Sequence, residues 1–242
     1  MSRSNMHIFD LPDEILLLIL KKLNNIDILY SLLDVNNRRF DNLAQENIFT
    51  NNLKFDSIDD ISLISRFCSD ILPRIHCYIK SFTFHPSFVE RILLANKYPN
   101  LTEVKIIHFQ QDFFSKYFTI RAIFEVQITN LILVNDDPYE MGDSFKNYTT
   151  NIYAHILRFF KNLKKLNVDS SHESYPSLSI CDLSLNTFSS STLTHLYINV
   201  NTLDDCLYLL DGRLQQLTTL SVNVDIIDDS STIVHSMVNF HR

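Results

Sequence analysis

Three of the four pairs of adjacent aspartates in this 242-residue chain have the type and position that could most directly support chemistry. These three pairs are Asp136–Asp137, Asp204–Asp205 and Asp228–Asp229. Two neighbouring carboxylates can act as a general acid and base, or can hold a divalent cation. Each pair, however, follows an apolar segment of strand character, where an aspartate can cap the next helix. We therefore expect helix capping rather than catalysis at these positions.

The nine histidines and four cysteines also lack the spacings that metal binding requires. No two histidines stand four residues apart, so there is no helical His-x-x-x-His pair. The cysteines, Cys68, Cys77, Cys181 and Cys206, contain no close pair of the kind found in zinc sites. We expect histidines that are satisfied locally and thiols that behave as small hydrophobic groups. No metal or other cofactor is predicted.

Glycine content and charge exclude several classes of protein. With only Gly142 and Gly212, the chain contains no phosphate-binding loop, dinucleotide fingerprint or nucleophile elbow. A formal charge of −7 without a long basic block argues against nucleic acid or an anionic membrane as a partner. The longest apolar run, residues 15–20, is far too short to span a membrane. The N-terminus also lacks the apolar core of a signal peptide, so we expect a cytoplasmic or nuclear protein.

Residues 7–52 have the pattern of three short helices. Pro12 is suited to the first helical position, and Asp13 and Glu14 would follow it in the first turn, where the helix dipole favours negative charge. Apolar residues then recur at intervals of four, at Ile15, Ile19 and others. So short a segment cannot bury this wide apolar face by itself. The segment is therefore expected either to bind a partner or to form the first helical layer of a larger core.

This segment resembles an F-box, and the resemblance covers about a sixth of the chain. It implies binding of a Skp-type adaptor, which in turn joins a cullin scaffold in a ubiquitin ligase. The interval from Val35 to Arg39 is one residue longer than in the usual pattern, so a longer turn is expected before the third helix. The resemblance implies adaptor contacts by Leu11, Pro12, Glu14, Ile15, Leu16, Ile19, Leu23, Ile28, Leu29, Val35, Arg39, Phe40 and Leu43.

A short apolar motif then recurs six times, each time followed by a segment with helical periodicity. In each copy apolar residues occupy the first, fourth and sixth positions. The copies begin at Ile79, Leu101, Ile128, Leu163, Leu193 and Leu217, and their starts are 22, 27, 35, 30 and 24 residues apart. Repetition of a strand and a helix at this period is typical of leucine-rich repeats. Their ninth positions hold Ser87, Phe109, Asp136, Ser171, Asn201 and Asp225, five of them short polar residues that could bond nearby backbone.

The predicted fold class is therefore α/β, with a three-helix F-box followed by an irregular leucine-rich-repeat solenoid that has a short-stranded parallel sheet. We expect an F-box domain at 7–52, a linker and the first solenoid helix at 53–78, and about six repeats at 79–242. An ordinary α/β domain with a parallel sheet is the competing fold. The apolar spacing at 226–240 predicts a last helix, which would leave the preceding strand as an open edge.

Alternate residues of each predicted strand would lie on the exposed face of the sheet, where a target could bind. These residues are Lys105, Ile107, Ile132, Val134, Asn167, Asp169, His195, Tyr197 and Asn199. Four of them are apolar or aromatic, and a contiguous apolar patch on a surface marks an interaction site. The alternative is that the loop at 135–147 covers them.

The function predicted from these features is that of a non-enzymatic substrate receptor in a cullin-based ubiquitin ligase. Its F-box would bind the Skp-type adaptor, and its repeats would bind a protein target that the sequence does not identify. One alternative is an F-box scaffold acting outside a ubiquitin ligase. Another is an α/β enzyme with an accidental F-box-like helix. Retention of the adaptor separates the first two classes from the third.

Overall fold

The computed structural model describes residues 8–33, 35, 37–55, 61–109, 123–135, 146–170, 189–226 and 236–241. Its helices and parallel strands confirm the α/β class. The chain divides into an N-terminal unit, Met1–Thr83 with Glu90–Asn100, and a C-terminal unit, Phe84–Val89 with Leu101–Arg242. This division falls later than the boundary expected at residue 52. In the part of the chain described, no helix is both long and apolar enough to cross a membrane.

The N-terminal unit begins with short helices, as its sequence pattern predicts. A 3-10 turn, Ile8–Asp10, precedes α1 (Asp13–Leu20), α2 (Asn25–Leu32), α3 (Arg38–Ala44) and α4 (Asn47–Thr50). Pro12 stands one position before the first helical residue, and its carbonyl accepts the N–H groups of Ile15 and Leu16. Asparagines cap the next two helices, because Asn24 accepts from Ile26 N at 2.8 Å and Asn37 accepts from Arg39 N at 2.9 Å.

The expected linker corresponds in part to ordered core structure. Strand β1 (Asn52–Phe55) follows α4 directly and buries Leu53 and Phe55 against the preceding helices. Helix α5 (Ile61–Arg66), a π-helical turn (Phe67–Ile71) and α6 (Leu72–Ile75) complete this region. The wide turn ends beside Pro73, which has no N–H to donate and would crowd the carbonyl of a normal turn.

Three contacts link these helices to β1 and to the first three helices. The ring centroids of Phe55 and Phe67 lie 4.9 Å apart in an edge-to-face arrangement. Arg74 of α6 donates to the carbonyl of Leu33 at 2.8 Å and forms an ion pair of 2.7 Å with Asp41 of α3. Residues 61–75, which include the expected first solenoid helix, therefore pack against the elements that precede them in the N-terminal unit.

The rest of the chain consists of strands with helices between most of them. The elements are β2 (Ser81–Phe84), α7 (Pro86–Ala95), β3 (Glu103–Ile107), α8 (Ile123–Gln127), β4 (Asn130–Asn135), α9 (Lys146–Phe159), β5 (Lys165–Ser170), β6 (His195–Thr202), α10 (Leu203–Tyr208), β7 (Thr219–Ile226) and β8 (Ser236–His241). Each of the six predicted repeat copies begins two residues before a strand. Within the C-terminal unit, β3 to β7 are parallel neighbours in chain order, and β8 is antiparallel to β7.

The fourth residue of each motif copy forms a buried apolar row across this sheet. Strand register aligns Val104, Leu131, Leu166, Leu196 and Leu220, and each is almost fully buried. The alternating side chains of the same strands, where their burial is described, are half-buried, with the exception of the buried Val134. One face of the sheet therefore belongs to the core and the opposite face contacts solvent, in the frame that the motif predicts.

Backbone hydrogen bonds at the starts of β4 to β7 repeat from one copy to the next. One carbonyl accepts two consecutive N–H groups of the following copy, at 2.8–3.1 Å. The accepting carbonyls in the C-terminal unit are those of Thr102, Thr129, Lys164 and Thr194. The polar side chain immediately before four of the motif copies also donates to a carbonyl one copy earlier, in the pairs Asn100 to Cys77, Gln127 to Leu101, Asn162 to Val126 and Thr192 to Leu163.

The ninth positions of the motif show no shared arrangement among the residues that the structure describes. Asn201 and Asp225 lie within β6 and β7 rather than in a turn after them. Ser87 bonds the ring of its neighbour His85. Asp136 and Ser171 lie outside the described residues. Polar side chains before four of the motif copies, rather than those at the ninth positions, therefore connect neighbouring copies.

The last element corrects the prediction of a helix at 226–240. Residues Ser236–His241 form β8, whose register sets Val238 opposite Val222 and Phe240 opposite Leu220. The apolar residues of this segment alternate as well as recurring at helical spacing, so both structures fit the sequence. Pairing with β7 decides between them, because it satisfies backbone groups that an edge strand would leave open.

Candidate protein-docking surfaces

Helix α1 is buried on one side and exposes an apolar surface on the other. Leu16 and Leu20 lie in the core of the N-terminal unit. We call the exposed residues the α1 stripe, which consists of Ile15 (43% exposed), Leu18 (60%), Ile19 (40%) and Leu23 (54%) just beyond the helix end. Four adjacent apolar side chains in contact with solvent are typical of an interaction surface. Sequence reasoning missed Leu18, although it stands three residues from Ile15 on the same helical face.

Burial divides the residues that the F-box resemblance assigns to adaptor binding. Leu16, Ile28, Leu29, Phe40 and Leu43 are buried in the N-terminal unit, so they support the surface from below and cannot contact a partner directly. The other assigned residues are exposed or half-buried and are therefore available for contact. They are Leu11, Pro12, Glu14, Ile15, Ile19, Leu23, Val35 and Arg39. A partner can therefore contact fewer residues than the F-box resemblance assigns to adaptor binding.

Arg39 connects the start of α3 to the start of α1. Its Nε atom lies 2.6 Å from a carboxylate oxygen of Asp13, and Nη2 donates to the carbonyl of Leu11. The guanidinium also lies 5.8 Å from the ring centre of Phe40. An exposed ion pair alone contributes little to stability. Together with the backbone contact, it fixes the direction in which α1 presents its stripe.

The solvent-facing side of the C-terminal sheet assembles most of the residues predicted to bind a target. Register aligns Lys105, Ile132, Asn167 and Tyr197 on neighbouring strands. His195 lies one position earlier on the same face, and the ammonium group of Lys165 lies 5.4 Å from the ring centre of Tyr197. Asn199 is paired with Asn223 of β7. Half-buried side chains of mixed polarity thus form a continuous surface.

The predicted apolar patch on this sheet is smaller than expected. Val134 is only 8% exposed, whereas its neighbours Ile107 and Ile132 are half-buried. Asp169 is aligned with Val134 in the register. Residues 136–145 of the loop that could cover the patch lie outside the described residues. Val134 is therefore not available to a partner in this structure, while Ile107 and Ile132 remain partly accessible.

The aspartate pair at Asp204–Asp205 caps a helix, as its position in the sequence predicts. Asp205 is fully buried, and its Oδ2 accepts the backbone N–H of Thr202 at 3.1 Å and the hydroxyl of Thr202 at 2.7 Å. The hydroxyl oxygen in turn accepts the backbone N–H of Asp205 at 3.2 Å. This reciprocal arrangement is a capping box at the start of α10. The other two pairs lie outside the described residues.

The other reactive side chains do not form a chemical centre where the structure describes them. No group of three histidine, cysteine or acidic side chains in the described ranges is close enough to hold a metal. Burial raises the pKa of the Cys206 thiol, and that of Cys68 despite the nearby charge of Arg91. Both thiols are therefore protonated and poorly nucleophilic at neutral pH. Cys77 is half-buried, and Cys181 lies outside the described residues.

Neither a scan against models of protein families nor a search among curated proteins finds a match to this chain. Function has to be inferred from the two surfaces themselves. The α1 stripe offers an apolar surface on a rigid helix, and the sheet offers a broad surface of mixed polarity. Surfaces of this kind bind proteins, because they combine exposed apolar groups with hydrogen-bonding groups on a fixed backbone.

Proposed function

We propose that this chain is the substrate-recognition subunit of a cullin-based ubiquitin ligase. In this proposal α1 to α3 are an F-box that binds a Skp-type adaptor, and the strand–helix repeats are leucine-rich repeats that bind a protein target. The observation that carries the proposal is the α1 stripe, which is exposed on a helix that begins at the Leu11–Pro12 motif. Other subunits transfer the ubiquitin, so the chain itself needs no catalytic residue.

The α1 stripe can supply a useful part of the binding free energy. Complete burial of a leucine or isoleucine side chain stabilises by about 1.5–3 kcal/mol. About half of each of the four side chains is already covered. Covering the rest would contribute about 3–6 kcal/mol by the same scale. Contacts of the exposed residues Pro12, Glu14 and Val35 would add the polar and apolar rim that specific interfaces have.

Mutation of the stripe tests the proposal. The variant Ile15→Glu with Ile19→Glu would bring two carboxylates into the interface, and we expect adaptor affinity to fall about a hundredfold or more because buried charges without partners are costly. The matched control is Leu63→Glu with Leu94→Glu, at positions of the same unit that are 45% and 41% exposed. Affinity for a purified Skp-type adaptor is measured by isothermal titration calorimetry.

Two outcomes decide between the possible functions. Equal affinity of the stripe variant and the control variant would refute the F-box assignment. If the wild-type chain binds the adaptor, addition of the cullin and of a ubiquitin-conjugating enzyme tests ligase assembly. A complex that retains the adaptor but does not recruit the cullin would instead indicate a scaffold that acts outside a ubiquitin ligase.

A further inference from the structure

A pocket of about 340 Å³ lies in the C-terminal unit, beside the end of α9 and the segment at 189–192. Its lining includes the cationic residues Arg158, Lys161 and Arg213 and the hydroxyl-bearing residues Ser190 and Thr192. No carboxylate occurs among the described residues that line it. The pocket therefore combines positive charge with hydrogen-bond donors, and neither docking surface includes it.

The hydroxyl-bearing rim of this pocket is held in place by its own hydrogen bonds. Ser190 N donates to the carbonyl of Arg213 at 3.1 Å, and Ser190 Oγ accepts from the N–H groups of Thr192 and Leu193 at 3.3 and 3.1 Å. The hydroxyl of Thr192 donates to the carbonyl of Leu163 at 3.0 Å. A rim that is already ordered loses little conformational entropy when a ligand binds.

Arg213 lines the pocket, and its guanidinium is incompletely paired in the protein interior. The residue is only 5% exposed, and its Nε and Nη2 atoms donate to the carboxylate of Asp211 at 3.0 and 2.7 Å. Hydrogen bonds from Arg213 hold the pKa of Asp211 below its ordinary value, so this ion pair is formed at neutral pH. Nη1 is buried and no described acceptor lies within hydrogen-bond distance. Such donors are rare in folded proteins and usually indicate a missing partner.

Lys161 and Arg158 differ in what they already contact. The ammonium group of Lys161 donates to the carbonyl of Arg158 at 2.6 Å, next to the end of α9, where the helix dipole favours a cation. This contact uses one of its three N–H donors. Arg158 is exposed, and no contact of its guanidinium is described. Two cationic groups with donors to spare therefore border the pocket, in addition to Arg213.

We infer that this pocket binds a phosphoryl group, either as inorganic phosphate or as a small phosphate monoester. A phosphoryl group carries a charge of about −1.5 to −2 at neutral pH, which matches the charges of Arg158 and Lys161, since no carboxylate occurs among the described residues that line the pocket. Its oxygens accept several hydrogen bonds, and the planar guanidinium of arginine donates two of them side by side. The volume lies at the small end of the range for ligand pockets.

Titration with inorganic phosphate, O-phosphoserine and serine tests the inference. Binding is followed by the amide NMR shifts of 189–193 in the full chain, at constant ionic strength. We expect saturable shifts with the two phosphates and none with serine. The variant Arg158→Glu is expected to weaken binding about tenfold, the effect of losing one charge-assisted hydrogen bond. The control Lys164→Glu makes the same change in net charge at an exposed position that does not line the pocket.

The two sources of the phosphoryl group give different results. Tighter binding of O-phosphoserine than of phosphate indicates a monoester ligand, and equal binding indicates the free anion. Absence of saturable shifts with both, or equal weakening by Arg158→Glu and Lys164→Glu, would overturn the inference. Circular dichroism confirms that each variant is folded. Should Arg158→Glu not fold, Arg158→Gln removes the charge with a smaller change, and the same comparison then applies.

Discussion

Replacement of Asp205 by alanine is expected to destabilise the C-terminal unit by about 2–4 kcal/mol. Loss of a hydrogen bond to a charged group costs about 1.5–3 kcal/mol. Asp205 makes two such bonds, because its carboxylate accepts the backbone N–H and the hydroxyl of Thr202. Removal of a buried carboxylate recovers part of its desolvation cost, which keeps the net loss below the sum of the two.

Urea unfolding followed by circular dichroism measures this loss as a shift of the midpoint at unchanged slope. Asp204→Ala is the matched control, since Asp204 is exposed in the same helical turn and should cost only about 0.3–1 kcal/mol through the helix dipole. Asp205→Asn keeps an acceptor for Thr202 and should fall between the two. If Asp205→Ala costs no more than Asp204→Ala, the capping explanation is wrong, and a chemical role for the aspartate pair becomes the better hypothesis.

Two further predictions concern the ends of the C-terminal unit. The pKa of Asp211 is lowered in the folded state by its hydrogen bonds to Arg213, so its contribution to stability is present above the unfolded pKa and is lost as the pH falls through the folded pKa. The stability difference between the wild type and Asp211→Asn should therefore shrink between about pH 5 and pH 2, and a constant difference would contradict this ion pair. A chain truncated after Ile226 lacks β8 and leaves the edge of β7 open, so we expect concentration-dependent self-association in sedimentation velocity. The intact chain serves as the control. A truncated chain that remains monomeric would show that the unpaired edge of β7 does not cause self-association.

The strands were predictable because each motif copy buries the same positions. Ile79, Leu101 and the four later starts are followed by side chains that alternate between the core and the solvent, and this pattern sets both the strand and its frame. The period-two pattern survives variation in the intervening segments because it depends only on local geometry. The aligned row of Lys105, Ile132, Asn167 and Tyr197 follows from the same frame.

The parts that were missed depend on contacts between distant residues. Leu53 and Phe55 stand in a polar stretch, and their burial results from packing against α2 and Phe67, which local sequence does not reveal. Phe40 and Leu43 are likewise buried by packing between α3 and α2, which are separate elements of the chain. The side chains that donate to the preceding copy vary among asparagine, glutamine and threonine, so no single residue type indicates them. For β8, helical and alternating spacing coexist, and only pairing with β7 distinguishes them.

At the starts of β4 to β7, one carbonyl accepts two N–H groups of the next strand. This contact sets the register between neighbouring strands, whatever the length of the segment that connects them. Because the contact uses backbone atoms alone, it is reformed whatever side chains the neighbouring copies carry. The connecting segments are then free to differ, and the starts of successive copies are indeed 22 to 35 residues apart. Insertions between strands should therefore change the borders of the sheet without shifting one strand against the next. Such a chain can acquire new binding loops one copy at a time while its sheet surface stays in register.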